Sequence, residues 1–377
     1  MSIILFIIII AVLVFVHELG HFLVAKKSGI RVDEFAVGFP PKIFSWIRGE
    51  TKYSINLIPF GGFVKIFGEN PDEESMAGPD KTRSFVNKPK HIQAAVLVAG
   101  ILFNIIFAWV LFSASYVIGV ASVASDEQNT KELPLPLVVT EVLKSSPAEI
   151  SGLKNGDTIK KITIGVDTRG AFINGKTLEI KKPINPERVR DFVQASGGKE
   201  LQVTILRNKD EKVLTMSPQK GLTGDSYAVG IQLALISINK LPIHKAIWKG
   251  GETTINVIKE TAVGLYELLS RILTRKADLT QVAGPVGIVS LVGQASQFGF
   301  GYLLSFTALI SVNLAIINLV PFPALDGGRL LFVAIEAATR RKIAPKVANF
   351  LNIIGFALLI LFMITVTISD IGRLFGK

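Results

Sequence analysis

Cysteine is absent from the 377-residue sequence, so neither a disulfide framework nor a zinc site made of thiolates is available to this protein. Histidine is scarce too, with four residues in the whole chain. Lys and Arg are missing from residues 1–16, which excludes the positive n-region of a secretory signal peptide. Because so few metal-binding side chains remain, the position of each histidine carries information.

Charge is also sparse. Charged residues make up 19% of the chain and hydrophobic residues 49%, with a mean hydropathy of +0.46. A bilayer core requires about 20 mostly apolar residues per helix, and four stretches meet this length, near residues 2–25, 94–120, 301–320 and 347–368. We predict a polytopic α-helical membrane protein with about four transmembrane helices.

The long region between the second and third stretches has the composition of a soluble domain. We therefore predict an N-terminal membrane part over 1–120, an inserted domain over 121–240 and a C-terminal membrane part over 299–377. The connecting residues 241–298 include apolar positions at helical spacing, with Trp248 near one end. This pattern is typical of an amphipathic helix at the membrane interface.

The orientation follows from the basic residues of the short loops. One group follows the first apolar stretch and another lies between the third and fourth, and their members are Lys26, Lys27, Arg31, Arg329, Arg340, Arg341, Lys342 and Lys346. The positive-inside rule places both loops in the cytoplasm. The inserted domain and both termini are then extracytoplasmic, and we predict a multi-pass protein of the bacterial cytoplasmic (inner) membrane.

The net charge of +11 is largely explained by these loops, which face an anionic lipid leaflet. Basic and aromatic residues do not alternate in a way that would stack nucleic-acid bases. We expect the lipid bilayer to be a partner and expect no nucleic-acid binding.

The first apolar stretch contains the motif His17-Glu-Leu-Gly-His21. Two histidines four residues apart share one face of a helix, so both can bind one zinc ion, and the glutamate after the first is placed to take a proton from water. Ionisable residues are costly within a membrane helix and mark function. The pattern predicts zinc-dependent hydrolysis inside the membrane, with His17 and His21 as ligands and Glu18 as the catalytic base.

A third protein ligand is expected, because catalytic zinc has three protein ligands and one open position. Asp326 follows a proline-broken stretch at the end of the third apolar segment, where Pro321 and Pro323 interrupt a regular helix. Gly327 and Gly328 would let the chain turn sharply after Asp326. The opposing interpretation, an Asp-Gly-Gly turn that caps the next helix, is less favoured once the histidine pair is considered.

The His17-Glu-Leu-Gly-His21 motif, the stretch from Asn318 to Gly328 and the inserted domain together resemble the site-2 protease family of intramembrane zinc metalloproteases, in particular its bacterial RseP-type members with PDZ domains. The resemblance extends to Pro59-Phe-Gly-Gly-Phe-Val-Lys65 and Gly284-Pro-Val-Gly-Ile288. It implies one zinc ion per chain and substrates that are single-pass membrane proteins, such as anti-sigma factors or signal-peptide remnants. This chain has one PDZ-like domain, whereas some members have two.

Two asparagines and the two prolines are candidate substrate-binding or oxyanion residues. Asn318 precedes the proline-broken stretch, where its amide could bind the substrate backbone or a developing oxyanion. Asn313 could do the same or could bridge two helices. Pro321 and Pro323 complete the set, whereas His91 and His244 are interpreted as surface residues.

Residues 29–67 are predicted to be extended, with alternation at Tyr53-Ser-Ile-Asn-Leu-Ile58 and a tight bend at Gly61 and Gly62. The family implies a hairpin-like sheet that dips into the membrane beside the metal, where an exposed edge could pair with an unwound substrate. An ordinary cytoplasmic hairpin is the alternative.

The inserted domain predicts strands near 137–142, 201–206 and 212–216, a short helix after Ser146, and a second helix over 186–195. Residues 165–184 look like an enlarged loop. The order resembles a PDZ domain, which takes an extended peptide or a C-terminus onto a sheet edge, and Tyr227-Ala-Val-Gly-Ile231 is a candidate carboxylate-binding loop. A domain that only blocks bulky ectodomains fits equally well.

These features together predict an intramembrane-cleaving zinc metalloendopeptidase. The rival is a non-enzymatic membrane scaffold or transporter subunit with a peptide-binding PDZ domain. The two differ at Glu18, which the protease requires for cleavage but not for metal binding.

Overall fold

The computed structural model describes residues 1–70, 72–123, 136–164, 177–180, 186–207, 210–222, 224–274 and 283–374. They form two compact units. The first unit comprises Met1–Val117, Leu241–Ser296 and Leu303–Lys377, and the second comprises Ile118–Lys240 and Gln297–Tyr302.

Ten α-helices lie within the described residues. In chain order they are α1 (Ser2–Lys27), α2 (Glu73–Ala77), α3 (Lys90–Ile118), α4 (Pro147–Ile150), α5 (Pro186–Ala195), α6 (Ile243–Leu273), α7 (Pro285–Gln297), α8 (Phe300–Leu319), α9 (Asp326–Thr339) and α10 (Pro345–Leu374). The described strands are β1 (Val32–Arg48), β2 (Thr51–Ile66), β3 (Val120–Val123), β4 (Leu137–Val142), β5 (Thr158–Ile164), β6 (Thr177–Glu179), β7 (Leu201–Arg207), β8 (Asp210–Met216) and β9 (Ile231–Asn239).

Four of these helices, α1, α3, α8 and α10, are long and apolar enough to cross a membrane. The four apolar stretches of the sequence are thereby confirmed as helices of membrane-spanning length. Each has a mean hydropathy of at least 1.9 over its most apolar window, and helices of this length satisfy every internal backbone hydrogen bond without water.

The first unit contains a hairpin, β1–β2, that is folded back on itself. Residues 34–37 of β1 pair both with residues 52–55 and with residues 62–65 of β2, while residues 42–48 pair with 51–56. Both residues of the predicted bend, Gly61 and Gly62, belong to β2, and Gly61 departs from regular strand geometry with a φ of +111°. Residues 62–66 form an edge strand of this small sheet, because among the described residues they have a strand partner on one side only.

A non-helical segment of residues 320–325 separates α8 from α9, as the two prolines predicted. The predicted sharp turn at Gly327 and Gly328 is wrong, because both residues belong to the first turn of α9. They are glycines for a different reason. A Cβ at Gly327 would lie 2.3 Å from the carbonyl oxygens of Leu319 and Val320, and one at Gly328 would lie 2.2 Å from that of Phe322.

Helix α6 occupies the amphipathic stretch that was predicted to be helical. It does not stand apart from the other helices of the first unit: Val257, Ile258 and Leu265 pack against a buried cluster that includes Ala108 of α3 and Val312 of α8. The indole Nε1 of Trp109 also donates a hydrogen bond to the carbonyl oxygen of Ile247 at 2.9 Å.

In the second unit the described strands form one sheet in the order β3-β9-β4-β5-β7-β8, with β6 paired to β5. Helices α4 and α5 lie where the sequence predicted them, and so do β4, β7 and β8. A buried apolar cluster that includes Leu137, Ile159 and Leu201 forms the core of this unit. In the predicted enlarged loop, residues 177–179 form β6 instead, and residues 165–176 and 181–184 lie outside the described part of the chain.

Candidate metal centre

The two histidines of α1 and the first residue of α9 meet in the interior of the first unit. His17 Nε2 lies 3.2 Å from His21 Nε2, and Asp326 Oδ2 lies 3.0 Å from the former and 3.2 Å from the latter. The histidines are 8% and 7% exposed. Helical spacing places the imidazoles on one face of α1, and the break after α8 delivers the carboxylate opposite them.

The spacing of these three atoms fits a tetrahedral zinc ion. With bonds of about 2.0–2.1 Å, two ligand atoms on such an ion lie about 3.3 Å apart. Asp326 Oδ2 is buried, and its neighbours among the described residues include the Nε2 atoms of His17 and His21, with which it forms no hydrogen bond of regular geometry. A buried carboxylate needs a cation, and a metal ion shared with the two imidazoles would supply one. Within the described residues, His17, His21 and Asp326 are the one group of three side chains close enough to bind a metal.

Glu18 is adjacent to this group without belonging to it. Its Oε2 accepts a hydrogen bond from the backbone N–H of Val64 at 3.1 Å. Val64 belongs to the edge strand formed by residues 62–66 of β2. The Glu18 carboxylate therefore links α1 to the edge of the sheet. A Cβ at Gly62 would lie 3.8 Å from Glu18 Cγ, which shows how closely the backbone approaches.

Helix α3 packs against the histidines from the other side. The carbonyl oxygen of Val96 accepts a hydrogen bond from His21 Nδ1 at 2.8 Å, and the carboxamide of Asn104 lies 3.3 Å from His17 Nδ1. Between them, a Cβ at Gly100 would lie only 2.4 Å from His21 Nε2. Gly20 of α1 is in similarly close contact, since its Cβ would lie 2.5 Å from the carbonyl oxygen of Ala99.

The other predicted site residues are placed as follows. Asn318 is half-buried in the last turn of α8, and Pro321 and Pro323 lie in the non-helical segment before Asp326. Asn313 Oδ1 accepts a hydrogen bond from Thr261 Oγ1 of α6 at 2.9 Å, which is the helix-bridging contact considered as its alternative role. His91 and His244 are exposed, in agreement with the prediction.

Sequence reasoning missed Asn104 and Gly100. The signal was present, because Asn104 is an uncharged polar residue within a helix whose other central residues are apolar. It lies four residues after Gly100, on the same face of α3.

One protein family and several curated relatives match this chain over nearly its whole length. The family model described as Peptidase family M50 matches residues 5–362. A Clostridium perfringens protein named as a candidate zinc metalloprotease is 36% identical over 361 residues, covering 95% of each chain. Zinc metalloprotease RasP of Oceanobacillus iheyensis is 31% identical over 429 positions, and the regulator of sigma-W protease RasP of Bacillus subtilis is 29% identical over 456. Both alignments cover 99% of each chain.

Proposed function

The chain belongs to peptidase family M50, the site-2 protease family of intramembrane zinc metalloproteases. We propose that it binds zinc through His17, His21 and Asp326 and uses Glu18 as its general base. The observation that carries this assignment is the convergence of His17 Nε2, His21 Nε2 and Asp326 Oδ2 within 3.2 Å. These atoms come from opposite ends of the sequence, and each is a ligand type that zinc prefers.

Zinc, when bound, supplies Lewis acidity that lowers the pKa of water and polarises a carbonyl group. Glu18 takes the proton of the attacking water and later gives it to the leaving amine. The backbone N–H of Val64 orients the Glu18 carboxylate by donating a hydrogen bond to Oε2. Asn318, half-buried in the last turn of α8, would donate its amide to the substrate carbonyl or to the substrate backbone.

The substrate is proposed to bind as an added strand at residues 62–66 of β2. A helical peptide bond is shielded by its own hydrogen bonds, so a transmembrane substrate must unwind before water can attack it. Residues 62–66 are an edge strand, so they have backbone groups that can pair with a substrate strand. The hydrogen bond from the Val64 N–H to Glu18 Oε2 brings this edge next to the catalytic base. We propose single-pass membrane proteins as substrates, including anti-sigma factors, which is consistent with the name of the Bacillus subtilis relative.

The second unit is proposed to be an extracytoplasmic PDZ-like domain. A groove of about 530 Å³ lies between α5 and residues 226–233, and Arg190 is among the residues that line it. The candidate loop that begins at Tyr227 forms one of its walls. We propose that an extended C-terminus binds here, with its carboxylate near Arg190.

The groove is tested by measuring the affinity of terminally free and amidated peptides. Arg190→Glu should weaken binding of the free peptide at least tenfold. Arg188 is exposed on α5, two residues from Arg190. Arg188→Glu changes the charge by the same amount and should have no effect on binding. Absence of binding by every peptide would favour a unit that only excludes bulky ectodomains.

The orientation is proposed from the basic loops. Lys26 and Lys27 end α1, and Arg340 to Lys342 lie between α9 and α10. With both groups in the cytoplasm, the site faces the cytoplasmic side of a bacterial inner membrane, and both termini and the second unit lie outside.

The decisive experiment compares cleavage of a purified single-pass substrate by the reconstituted wild type and by Glu18→Gln, with zinc content measured in both. We expect Glu18→Gln to retain zinc, because all three metal ligands are still present. We expect its cleavage rate to fall by at least about 10³-fold, because the general base is missing. Glu50→Gln, the same chemical change at an exposed residue that pairs with Lys26 and Arg83, should cleave normally. Equal cleavage by wild type and Glu18→Gln would reject Glu18 as the base, and the scaffold alternative predicts no zinc-dependent cleavage by either.

A further inference from the structure

Asn104 is a fully buried polar residue inside the membrane-spanning helix α3. None of its surface is exposed, and its Oδ1 has no hydrogen-bond partner among the described residues. Its Nδ2 lies 3.3 Å from His17 Nδ1. A buried amide in an apolar helix costs free energy unless its polar atoms are satisfied, so a specific use is expected.

The chemistry of His17 decides how this amide must be turned. A neutral imidazole carries one hydrogen, and the nitrogen that binds a metal must be free of it. His17 Nε2 is the atom that faces His21 and Asp326. When Nε2 is a ligand, Nδ1 carries the hydrogen and becomes a donor, so it requires an acceptor.

The carboxamide of Asn104 can supply that acceptor. Its oxygen and nitrogen have nearly the same shape, and a half-turn about the last side-chain bond exchanges them without moving another residue. In the exchanged orientation Oδ1 faces His17 Nδ1, and the oxygen that has no partner gains a hydrogen bond. In the other orientation two N–H groups would oppose one another.

His21 provides an internal comparison. Its Nδ1 already donates to a carbonyl oxygen, that of Val96, at 2.8 Å. Val96, Gly100 and Asn104 are spaced by four residues and share one face of α3, and Gly100 leaves room for the two rings between them. The polar groups of α3 therefore meet both histidines at Nδ1, the ring nitrogen that does not face Asp326, while Gly100 lies against Nε2 of His21 without a side chain.

We propose that Asn104 is a positioning residue whose Oδ1 accepts a hydrogen bond from His17 Nδ1, fixing the tautomer and ring orientation in which His17 Nε2 binds the metal. The inference rests on the proposed role of His17 as a zinc ligand. Such outer partners of metal-bound histidines change metal affinity by about 10–100-fold when removed.

A purely structural role for Asn104 makes a different prediction. The contact between α3 and α8 at this depth has its own polar bond, in which Ser311 Oγ donates to the backbone oxygen of Asn104 at 2.8 Å. This bond does not use the carboxamide. Ser311→Ala therefore removes a buried polar contact from the same interface and leaves His17 untouched, which makes it the matched control.

The experiment measures zinc affinity of the full-length protein in micelles by competition with a chromophoric chelator, together with the visible spectrum of the Co²⁺-substituted protein. Asn104→Leu, which keeps the size and removes the acceptor, should lose about 10–100-fold in affinity and change the Co²⁺ spectrum. Asn104→Asp, which can accept but not donate, should recover affinity to within a few-fold of the wild type. Ser311→Ala should bind as the wild type does.

A measurement on the unaltered protein covers the case in which a variant does not fold. With four histidines in the chain, ¹⁵N-histidine NMR of the zinc-loaded wild type can resolve each ring. We expect a hydrogen-bonded proton on His17 Nδ1. A proton on Nε2, an Asn104→Leu variant that binds zinc as tightly as the wild type, or a folded Asn104→Asp variant as weak as Asn104→Leu would each overturn the proposal.

The ligand assignment itself is tested separately by His17→Ala. Loss of zinc from His17→Ala combined with normal binding by Asn104→Leu would reject the role of Asn104 alone. Full zinc content in His17→Ala would reject the proposed ligand set.

Discussion

At the scale of single residues, the approach to the site contains a backbone conformation that its side chain disfavours. Ala324 has a φ of +74°, in the left-handed region, two residues before Asp326. Its N–H donates to Asn352 Oδ1 of α10 at 3.3 Å, and this contact is one of those that hold the conformation. For a residue with a Cβ the left-handed region costs about 1–2 kcal/mol, so the segment that delivers Asp326 is held by its surroundings rather than by local preference.

Ala324→Gly should therefore be neutral or raise the free energy of unfolding by up to about 1 kcal/mol, because relief of strain exceeds the added freedom of the unfolded chain. Ala324→Val should lower it by about 1–2 kcal/mol, since a β-branched residue tolerates positive φ least. Thermal unfolding in micelles measures both. Ala337→Gly, at an exposed position inside α9, is the control and should destabilise by about 1 kcal/mol. Destabilisation of similar size by both glycine variants would contradict this account.

At the scale of elements, the helices that touch the non-helical segment 320–325 carry glycine at the points of contact. Gly327 and Gly328 begin α9, and a Cβ at Gly355 of α10 would lie 2.4 Å from the carbonyl oxygen of Pro323. Irregular backbone at membrane depth is tolerated where protein buries it. These glycines let α9 and α10 pack closely against this partly buried segment and so set the position of Asp326 relative to α1.

Gly355→Ala should displace the segment and reduce zinc affinity and cleavage together, by roughly tenfold or more, because a shift of about 1 Å in a ligand strongly affects a metal site. Zinc competition and the cleavage assay provide the two measurements. Gly264→Ala in α6 is the matched control, since a Cβ there would meet no atom within 4 Å. An unchanged zinc affinity in a folded Gly355→Ala variant would show that the segment adapts without moving Asp326.

The elements also show what local sequence could and could not predict. Helix α5 lies at residues 186–195, the range predicted for it. The chain break at Pro321 and Pro323 was predictable because proline cannot continue a helix. The role of Gly327 and Gly328 was not, because the atoms that exclude a side chain come from the end of α8 and the segment after it. The same reason hid the contact of Asn313 with Thr261, which belongs to another helix.

At the scale of the whole molecule, the four helices of spanning length and the basic loops define a proposed topology that the absence of cysteine makes easy to test. A single cysteine can be introduced at Lys212 in the second unit or at Lys346 at the start of α10, both exposed. A membrane-impermeant thiol reagent should label Lys212→Cys in intact cells. It should label Lys346→Cys only after permeabilisation.

The cysteine-free wild type is the background control for that labelling. Labelling of Lys346→Cys in intact cells would reverse the proposed orientation and place the site toward the outside. Equal labelling of both positions before and after permeabilisation would indicate that the cells were not sealed, and the zinc and cleavage predictions do not depend on this outcome.

Local sequence was enough to predict the membrane helices, the break before Asp326 and the pairing of His17 with His21, because each of these depends on spacing along one segment. Helical geometry puts residues four apart on one face wherever the helix lies. The tertiary structure decided which atoms surround the site: Asp326 opposite the imidazoles, Val64 on Glu18, and Val96 and Asn104 behind the histidines. Such contacts join residues distant in the chain, so they follow from the packing of helices against one another and not from any local pattern.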